Sequence, residues 1–154
     1  MGHILVTGSS RGIGKAALEA LAARGAPVIG HASRPLADGP PGVPIIAADF
    51  GDPLSVQGLW EQALDIADGA IDVVVNNAGR FEANRLDRSD IEWLDAWEDT
   101  LRVNLTAAAQ LSRFAVLHWQ SRGVGGRLVH VASRAAYRGD SPAHWHYAAA
   151  KSGM

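Results

Sequence analysis

The sequence predicts an α/β fold, with one domain built on a doubly wound parallel sheet. Short apolar runs alternate with longer stretches of helical periodicity along all 154 residues, and such alternation is typical of a parallel sheet covered on both faces. A glycine-rich turn joins the first apolar run to the first helical stretch. No repeat, charge block or composition change marks a boundary, so we expect residues 1–154 to form a single domain.

Five strands are predicted from short runs of apolar residues, at 4–6, 27–31, 43–48, 71–75 and 128–131. Four helices are predicted from Ala- and Leu-rich or amphipathic stretches, at 15–24, from 52 onward, at 89–121 and from 148 onward. Residues 35–44 hold four of the seven prolines and are expected to form a loop. Asp52 is expected to cap the second helix, with Pro53 at its first position.

Composition excludes several classes of protein. Fourteen basic and sixteen acidic residues give a formal net charge of −2, which argues against a nucleic-acid-binding surface. The lack of cysteine excludes disulfides, zinc–thiolate sites and a cysteine nucleophile. No apolar run approaches the ~20 residues of a membrane helix, and the first residues do not read as a signal peptide. We therefore expect a cytoplasmic protein without nucleic-acid or membrane partners.

The turn at residues 7–14 places Gly8, Gly12 and Gly14 between a predicted strand and a predicted helix. Glycines at such a turn let the backbone approach a pyrophosphate, and the N-terminus of the helix offers free N–H groups to the phosphates. The turn is not a P-loop, because no Gly-Lys-Ser/Thr follows it. The competing interpretation is a tight strand-to-helix turn without a ligand.

The end of the second strand indicates which dinucleotide is preferred. NAD-selective sites usually place an acidic residue there, for the ribose hydroxyls, but the sequence reads His-Ala-Ser-Arg at residues 31–34. Arg34 and Arg11 together suit the 2′-phosphate of NADP(H). The sequence therefore favours NADP(H) over NAD(H), and the alternative is that Arg34 is a solvated loop charge.

Tyr147 and Lys151 lie four residues apart, so a helix places both on one face. A phenol ordinarily keeps its proton up to about pH 10. A nearby ammonium stabilises the phenolate, which makes such a tyrosine usable as a general acid and base. Ser133 follows the fifth strand, near the sheet edge where α/β proteins bind ligands. Each of these residues alone is weak evidence for a catalytic site, and the prediction depends on the order of the motifs along the chain.

These motifs together resemble those of the short-chain dehydrogenase/reductase family. Residues 7–14 match Thr-Gly-x-x-x-Gly-x-Gly, the spacing of the dehydrogenase/reductase branch rather than the extended branch, and residues 76–79 match Asn-Asn-Ala-Gly. The family's remaining motif positions are matched in order by Asn104, Ser133, Tyr147 and Lys151. The resemblance covers residues 5–153.

The resemblance implies a Rossmann-like fold and an NAD(P)-dependent oxidoreductase that interconverts a small-molecule carbonyl and an alcohol by hydride transfer. Tyr147 would be the general acid and base, Ser133 would orient the substrate oxygen, and Lys151 would bind the nicotinamide ribose. Asn104 would hold a water of a proton relay. Cofactor contacts are expected from Gly8, Ser10, Arg11, Gly12, Ile13, Gly14, Arg34, Asp49, Phe50, Asn77, Ala78, Gly79, Tyr147 and Lys151.

Two further expectations concern metals and partners. His144 and His146 form a His-x-His pair, but no third ligand lies close in sequence, so no metal site is expected. The long predicted helix carries Trp93, Trp97 and Trp119. The resemblance implies that this helix packs against a partner subunit in a homo-oligomer, and packing within the subunit is the equal alternative.

The length departs from the family pattern. The family's domain usually has about 250 residues, within the range of a single domain, so the C-terminal part of the usual domain is expected to be absent. We expect the chain to be part of a longer enzyme. The alternative is a short, catalytically weak or inactive module that binds a nucleotide or a partner.

Overall fold

The computed structural model of the chain describes residues 2–36 and 39–154. Five strands form one sheet: β1 (His3–Val6), β2 (Val28–Ala32), β3 (Ile45–Ala47), β4 (Ile71–Asn76) and β5 (Arg127–His130). Their order is β3-β2-β1-β4-β5, and every neighbouring pair is parallel. The chain builds outward from β1 on one side and then crosses to the other. The predicted doubly wound parallel sheet is confirmed, and the order of the strands reverses between β1 and β4.

The helices are α1 (Gly12–Ala23), α2 (Ser55–Ile66), α3 (Asp90–Leu101), α4 (Ala107–Ser121), α5 (Ala135–Arg138) and α6 (Trp145–Gly153). Ser89 and Glu92 form a capping box at the start of α3. A π-helical turn, Arg102–Thr106, joins α3 to α4. None of these helices is long and apolar enough to cross a lipid bilayer.

Alternate strand residues face opposite sides of the sheet, and each side has its own core. Leu5 of β1 belongs to the larger core, formed with α2 and α4. Ile4 and Val6 face the other way and pack with Leu18 of α1. Apolar burial on both faces leaves the carboxyl ends of the strands as the open edge of the sheet.

The first turn of α2 differs from the prediction. Asp52 is not its N-cap, because a tight turn intervenes: the Asp52 carboxylate accepts the N–H of Leu54 at 2.9 Å, and the Ser55 N–H donates to the Asp52 carbonyl at 3.1 Å. The helix begins only at Ser55, with Pro53 inside the preceding turn. The predicted helix is present, but its predicted start at Asp52 was wrong.

Other boundaries also move. The predicted helix at 15–24 begins at Gly12, and the one from 148 onward begins at Trp145. The short helix α5 was not predicted. Residues 37 and 38 of the predicted loop at 35–44 lie outside the described residues, and the rest of that loop contains neither helix nor strand.

The predicted helix at 89–121 is not continuous, because the π-helical turn interrupts it at Asn104. The Asn104 side-chain amide donates to the Thr100 carbonyl at 2.9 Å. That carbonyl is the acceptor that the Asn104 N–H would use in an α-helix, and a side chain that enters the backbone ladder widens the helix locally.

Candidate active site

The glycine turn lies at the carboxyl end of β1, beside the carboxyl end of β4. Gly8 has a φ of +64°, and a Cβ there would lie 2.6 Å from the Cα of Ala78. Glycine alone adopts this conformation without strain and allows so close an approach. A Cβ on Gly14 would overlap both the side-chain amide of Asn77 and the carbonyl of Gly8. The turn is therefore packed directly against the backbone that follows β4.

Hydrogen bonds join the same two segments. The Thr7 hydroxyl accepts the N–H groups of Asn77 and Ala78, each at 3.0 Å, and donates to the carbonyl of Val75 at 3.2 Å. The Asn77 side-chain amide donates to the carbonyls of Thr7 and Gly8 at 2.9 and 3.0 Å. The Asn-Asn-Ala-Gly motif thus fixes the glycine turn through its side chain as well as its backbone.

A cleft of about 600 Å³ opens between these loops, at the point where the strand order reverses. Both its size and its place are typical of cofactor sites in α/β proteins. Most of the residues expected to contact a cofactor line it: Gly8, Ser10, Arg11, Gly12, Ile13, Arg34, Asp49, Phe50, Asn77, Ala78 and Gly79. Gly14 lies behind the turn, and Tyr147 and Lys151 lie beyond Gly79.

The chemistry of the lining fits a phosphorylated dinucleotide. The exposed guanidiniums of Arg11 and Arg34 share the cleft with the hydroxyls of Ser10 and Ser33, and guanidinium and hydroxyl groups are good donors to phosphate oxygens. The N-terminus of α1, which suits an anion, opens at the same turn. The charged end of the cleft can therefore hold phosphates, and the residues that line it fit NADP(H).

Sequence reasoning missed several residues of the lining, among them His31, Ser33 and Ala48. The signal for His31 and Ser33 was their position at the end of β2, where the prediction of the preferred dinucleotide considered charged side chains alone. Phe50, which was expected to contact the cofactor, lines the cleft while only 4% exposed, and its ring stacks on His31 with centroids 4.3 Å apart.

Lys151 reaches from α6 to the end of the sheet. It is 5% exposed, and its Nζ donates to the carbonyl of Val131 at 3.0 Å. Burial lowers the pKa of Lys151 below its ordinary value. Its Nζ lies 5.9 Å from the centre of the Tyr147 ring, so the two side chains share one side of α6, as their spacing predicts. A Cβ on Gly79 would lie 3.6 Å from Nζ, so Lys151 adjoins the inner end of the cleft.

Asn104 is fully buried against the segment that follows Gly79. Its Oδ1 accepts the N–H of Arg80 and its Nδ2 donates to the carbonyl of Arg80, both at 3.1 Å. A Cβ on Gly79 would lie 2.7 Å from Oδ1. Because a carbonyl oxygen has two lone pairs, Oδ1 retains capacity for a further donor. The structure therefore brings Asn104, Gly79 and Lys151 together.

Ser133 and Tyr147 lie nearer the surface. Ser133 follows β5, and its hydroxyl accepts the N–H of Ala135 at 3.2 Å. Tyr147 is half-buried, with its ring edge-on to Phe81 at a centroid distance of 4.8 Å. Phe81 also stacks on His144 at 4.1 Å and lines the cleft. Phe81 thus connects the Tyr147 side of the site to the cleft.

A second cavity of about 420 Å³ lies beside α3. Four of its lining residues are acidic, Glu82, Glu92, Asp95 and Asp99, and two are basic, Arg80 and Arg88. This excess of carboxylates disfavours phosphates, so the larger cleft is the better dinucleotide site. Among the described residues, no group of three or more His, Cys, Asp or Glu side chains could hold a metal ion.

The sequence model of the family described as short chain dehydrogenase matches residues 2–154. The chain belongs to the short-chain dehydrogenase family. Two curated relatives are 3-oxoacyl-(acyl-carrier-protein) reductases, from Vibrio cholerae at 38% identity over 159 residues and from Escherichia coli at 36% over 157. Each alignment covers 97% of this chain, which spans 62% of the length of either relative.

Solved structures agree with the fold of this short-chain dehydrogenase family member. A short-chain dehydrogenase from Streptomyces avermitilis superposes with a TM-score of 0.82 at 28% identity, over 99% of this chain and 56% of that one. An NADH-dependent reductase complexed with NAD gives 0.84 at 27% identity, over 98% and 67%. The Rossmann-like fold and the family expected from the motifs are confirmed.

Proposed function

We propose that this short-chain dehydrogenase family member is an NADP(H)-dependent oxidoreductase that interconverts a carbonyl and an alcohol. The observation that carries the proposal is the cleft whose inner end, at Gly79, meets the buried amine of Lys151 and, through Phe81, the ring of Tyr147. The curated relatives are named as reductases of a 3-oxoacyl group. A 3-oxoacyl thioester is therefore the substrate class that we propose for the whole protein.

The cleft would hold NADP(H). Arg11, Arg34 and Ser33 would bind the 2′-phosphate, and the N-terminus of α1 would face the pyrophosphate. Asp49 and Phe50 would lie beside the adenine, while Gly79 would lie toward the nicotinamide. When bound, NADPH supplies a hydride from C4 of its nicotinamide.

The chain's own residues would handle the proton. Tyr147 would donate the proton of its Oη to the carbonyl oxygen as the hydride arrives, and Ser133 would hold that oxygen by a hydrogen bond. The ammonium of Lys151, which is fixed by the Val131 carbonyl, would stabilise the phenolate that Tyr147 becomes. Asn104 would hold a water that returns a proton through Lys151.

An equilibrium titration with NADPH and with NADH tests the cofactor proposal, because it needs no choice of substrate. We expect NADPH to bind clearly more tightly than NADH. Equal affinities would contradict the preference for NADP(H), and binding of neither would contradict the nucleotide site. Oxidation of NADPH by a 3-oxoacyl thioester then tests the reaction. Binding without turnover would support a nucleotide-binding module instead.

We also propose that the protein forms homo-oligomers through α3. Trp93 and Trp97 are half-buried and stack on each other at 5.2 Å, beside the exposed side chains of Ile91 and Leu94. Trp119, in contrast, belongs to the core, where its ring N–H donates to the Ile71 carbonyl at 2.7 Å. Light scattering of this chain should give a particle mass that is a multiple of the 16.2 kDa of one chain, and the mass of a single chain would contradict the proposal. A cytoplasmic location stays a prediction.

A further inference from the structure

His31 is a buried titratable group that the proposed hydride transfer does not use. We propose that His31 is a positioning residue of the cofactor cleft: in its neutral form, with the proton on Nε2, it holds the glycine turn in the conformation that binds the dinucleotide, and protonation releases the turn. This inference rests on the proposed dinucleotide binding and adds a pH-sensitive element to it.

The hydrogen bonds of His31 allow a single tautomer. The N–H of Gly8 donates to Nδ1 at 3.0 Å, so Nδ1 must carry a lone pair. The other ring nitrogen, Nε2, lies 2.8 Å from the carbonyl of Ala48, which can only accept. The neutral ring with its proton on Nε2 satisfies both contacts at once. With 2% exposure, the ring has almost no contact with water that could replace either partner.

The ring of His31 makes three contacts with residues that line the cleft. One contact holds Gly8, whose φ of +64° sets the course of the glycine turn. A second holds the end of β3 at Ala48, directly before Asp49. The third is the stack on Phe50. The backbone of His31 is itself fixed, because its N–H donates to the Ser9 hydroxyl at 2.9 Å. Loss of the ring therefore loosens the cleft without touching the acid–base residues.

Protonation is incompatible with this arrangement. A proton on Nδ1 would face the N–H of Gly8 across 3.0 Å, donor against donor. Burial lowers the pKa of His31 from its ordinary value of 6.5, while the hydrogen bond to Ala48 and the charge of Asp49 oppose that shift. The charged side chains that share the cleft are Asp49, Glu82, Arg11, Arg34 and Arg80. Because the pKa of His31 is lowered in the folded chain, the ring stays neutral at pH 7. The hydrogen bond from the Gly8 N–H to Nδ1 is lost only as the pH falls below 6.5.

Two variants of the chain separate the contact from the volume of the ring. His31→Leu keeps an apolar group but leaves the Gly8 N–H and the Ala48 carbonyl unpaired, so we expect NADPH binding at pH 7.5 to weaken about tenfold or more. His31→Asn keeps an acceptor for Gly8 but loses the ring's contacts with Ala48 and Phe50, so its Kd should lie between that of the unmodified chain and that of His31→Leu. As the pH falls below 6.5, this variant should lose less affinity than the unmodified chain, because its residue 31 does not titrate, whereas protonation of the cofactor's 2′-phosphate weakens binding in both.

A matched control comes from the far end of the sheet. His118 bonds the carbonyl of Gly69 at 2.9 Å through its Nε2, away from the cleft. His118→Asn should leave both the Kd and its pH dependence as they are in the unmodified chain. The same loss of pH dependence in His118→Asn and His31→Asn would overturn the assignment to His31.

A second measurement needs no cofactor. The ring ¹⁵N shifts of His31 should show the proton on Nε2 at pH 7.5, and the Gly8 amide resonance should move with the titration of that ring. A proton on Nδ1, or a Gly8 amide resonance that does not shift with the titration, would overturn the inference even where His31→Leu fails to fold.

If the unmodified chain binds NADPH and a folded His31→Leu binds it equally well, the inference fails and the proposed function stands. If the unmodified chain binds no NADPH, the proposed function fails, and with it the role of His31 in binding.

Discussion

The nucleotide end of the cleft is held by side chains of β2 and of the turn that follows β1, whereas the acid–base end depends on contacts made by α6. Thr7, Ser9 and His31 are 1–2% exposed, and each bonds a segment distant in the chain. Tyr147 and Ser133 are half-buried. The contrast is that the side chains organising the nucleotide end are buried, whereas at the acid–base end Tyr147 and Ser133 are partly exposed beside the buried Lys151 and Asn104.

This difference separates two kinds of change. At the nucleotide end, a disturbance should alter stability and cofactor affinity together, because the same hydrogen bonds shape the cleft and the core beneath it. At the acid–base end, a change at the half-buried Tyr147 or Ser133 should alter the reaction while leaving the fold and the cofactor affinity nearly intact. Four substitutions test this difference between the two ends.

The hydroxyl of Tyr147 should matter for turnover alone. Tyr147→Phe removes the proton donor but keeps the ring that packs against Phe81. We expect turnover with NADPH and a 3-oxoacyl thioester to fall by ~10²-fold or more, with an unchanged Kd for NADPH. Tyr137→Phe is the matched control, since Tyr137 is the other tyrosine of the chain and is 83% exposed on α5. Retained turnover in Tyr147→Phe would remove the acid–base assignment.

Gly14 should affect stability and cofactor affinity together. In Gly14→Ala, the new Cβ meets the Gly8 carbonyl and the Asn77 amide, so the turn must shift. Overpacking of this kind costs roughly 1–3 kcal/mol of unfolding free energy, and NADPH affinity should fall in parallel. Urea denaturation and the NADPH titration measure the two effects. A stable variant with normal affinity would contradict the tight packing of the turn.

Arg34 should distinguish the two dinucleotides. Arg34→Ala removes a guanidinium from the cleft, and we expect NADPH to bind about tenfold less tightly while NADH affinity stays the same, because a hydrogen bond to a charged group is worth about 1.5 kcal/mol or more. Arg24→Ala, an exposed arginine at the end of α1, should change neither. Equal losses for both dinucleotides would exclude a 2′-phosphate contact at Arg34.

Gly58 should give the smallest effect, and in the opposite direction. It lies inside α2, and a Cβ there would meet nothing within 4 Å. Gly58→Ala should raise the free energy of unfolding by about 0.5–1 kcal/mol, because alanine loses less backbone entropy in a helix. The same denaturation experiment measures it, with NADPH affinity unchanged. A destabilised Gly58→Ala variant would show that the free space around each glycine does not explain the opposite effects expected at Gly58 and Gly14.

Much of the architecture is readable from the sequence because it depends on local patterns. Apolar runs and a glycine turn predict the parallel sheet, and Tyr147 and Lys151 are paired by helical spacing alone. The π-helical turn was not predictable in this way, because it depends on Asn104 meeting Arg80, 24 residues away. α5 has four residues, too few for a period to show.

The role of His31 was missed for the same physical reason. Its partners Gly8 and Ala48 lie 23 and 17 residues away, and only the parallel arrangement of β1, β2 and β3 brings them together. A search for charge at the end of β2 found Arg34, but it could not find a neutral imidazole that acts through hydrogen bonds.

Amide hydrogen exchange with and without NADPH tests whether the nucleotide end of the cleft is a preorganised dinucleotide site. We expect the amides of Gly8 and of residues 77 and 78 to be protected already in the free chain. Added NADPH should slow exchange further in residues 7–14, 31–34 and 77–79. Rapid exchange at these amides in the free chain, or protection by NADPH confined to the second cavity beside α3, would contradict the account.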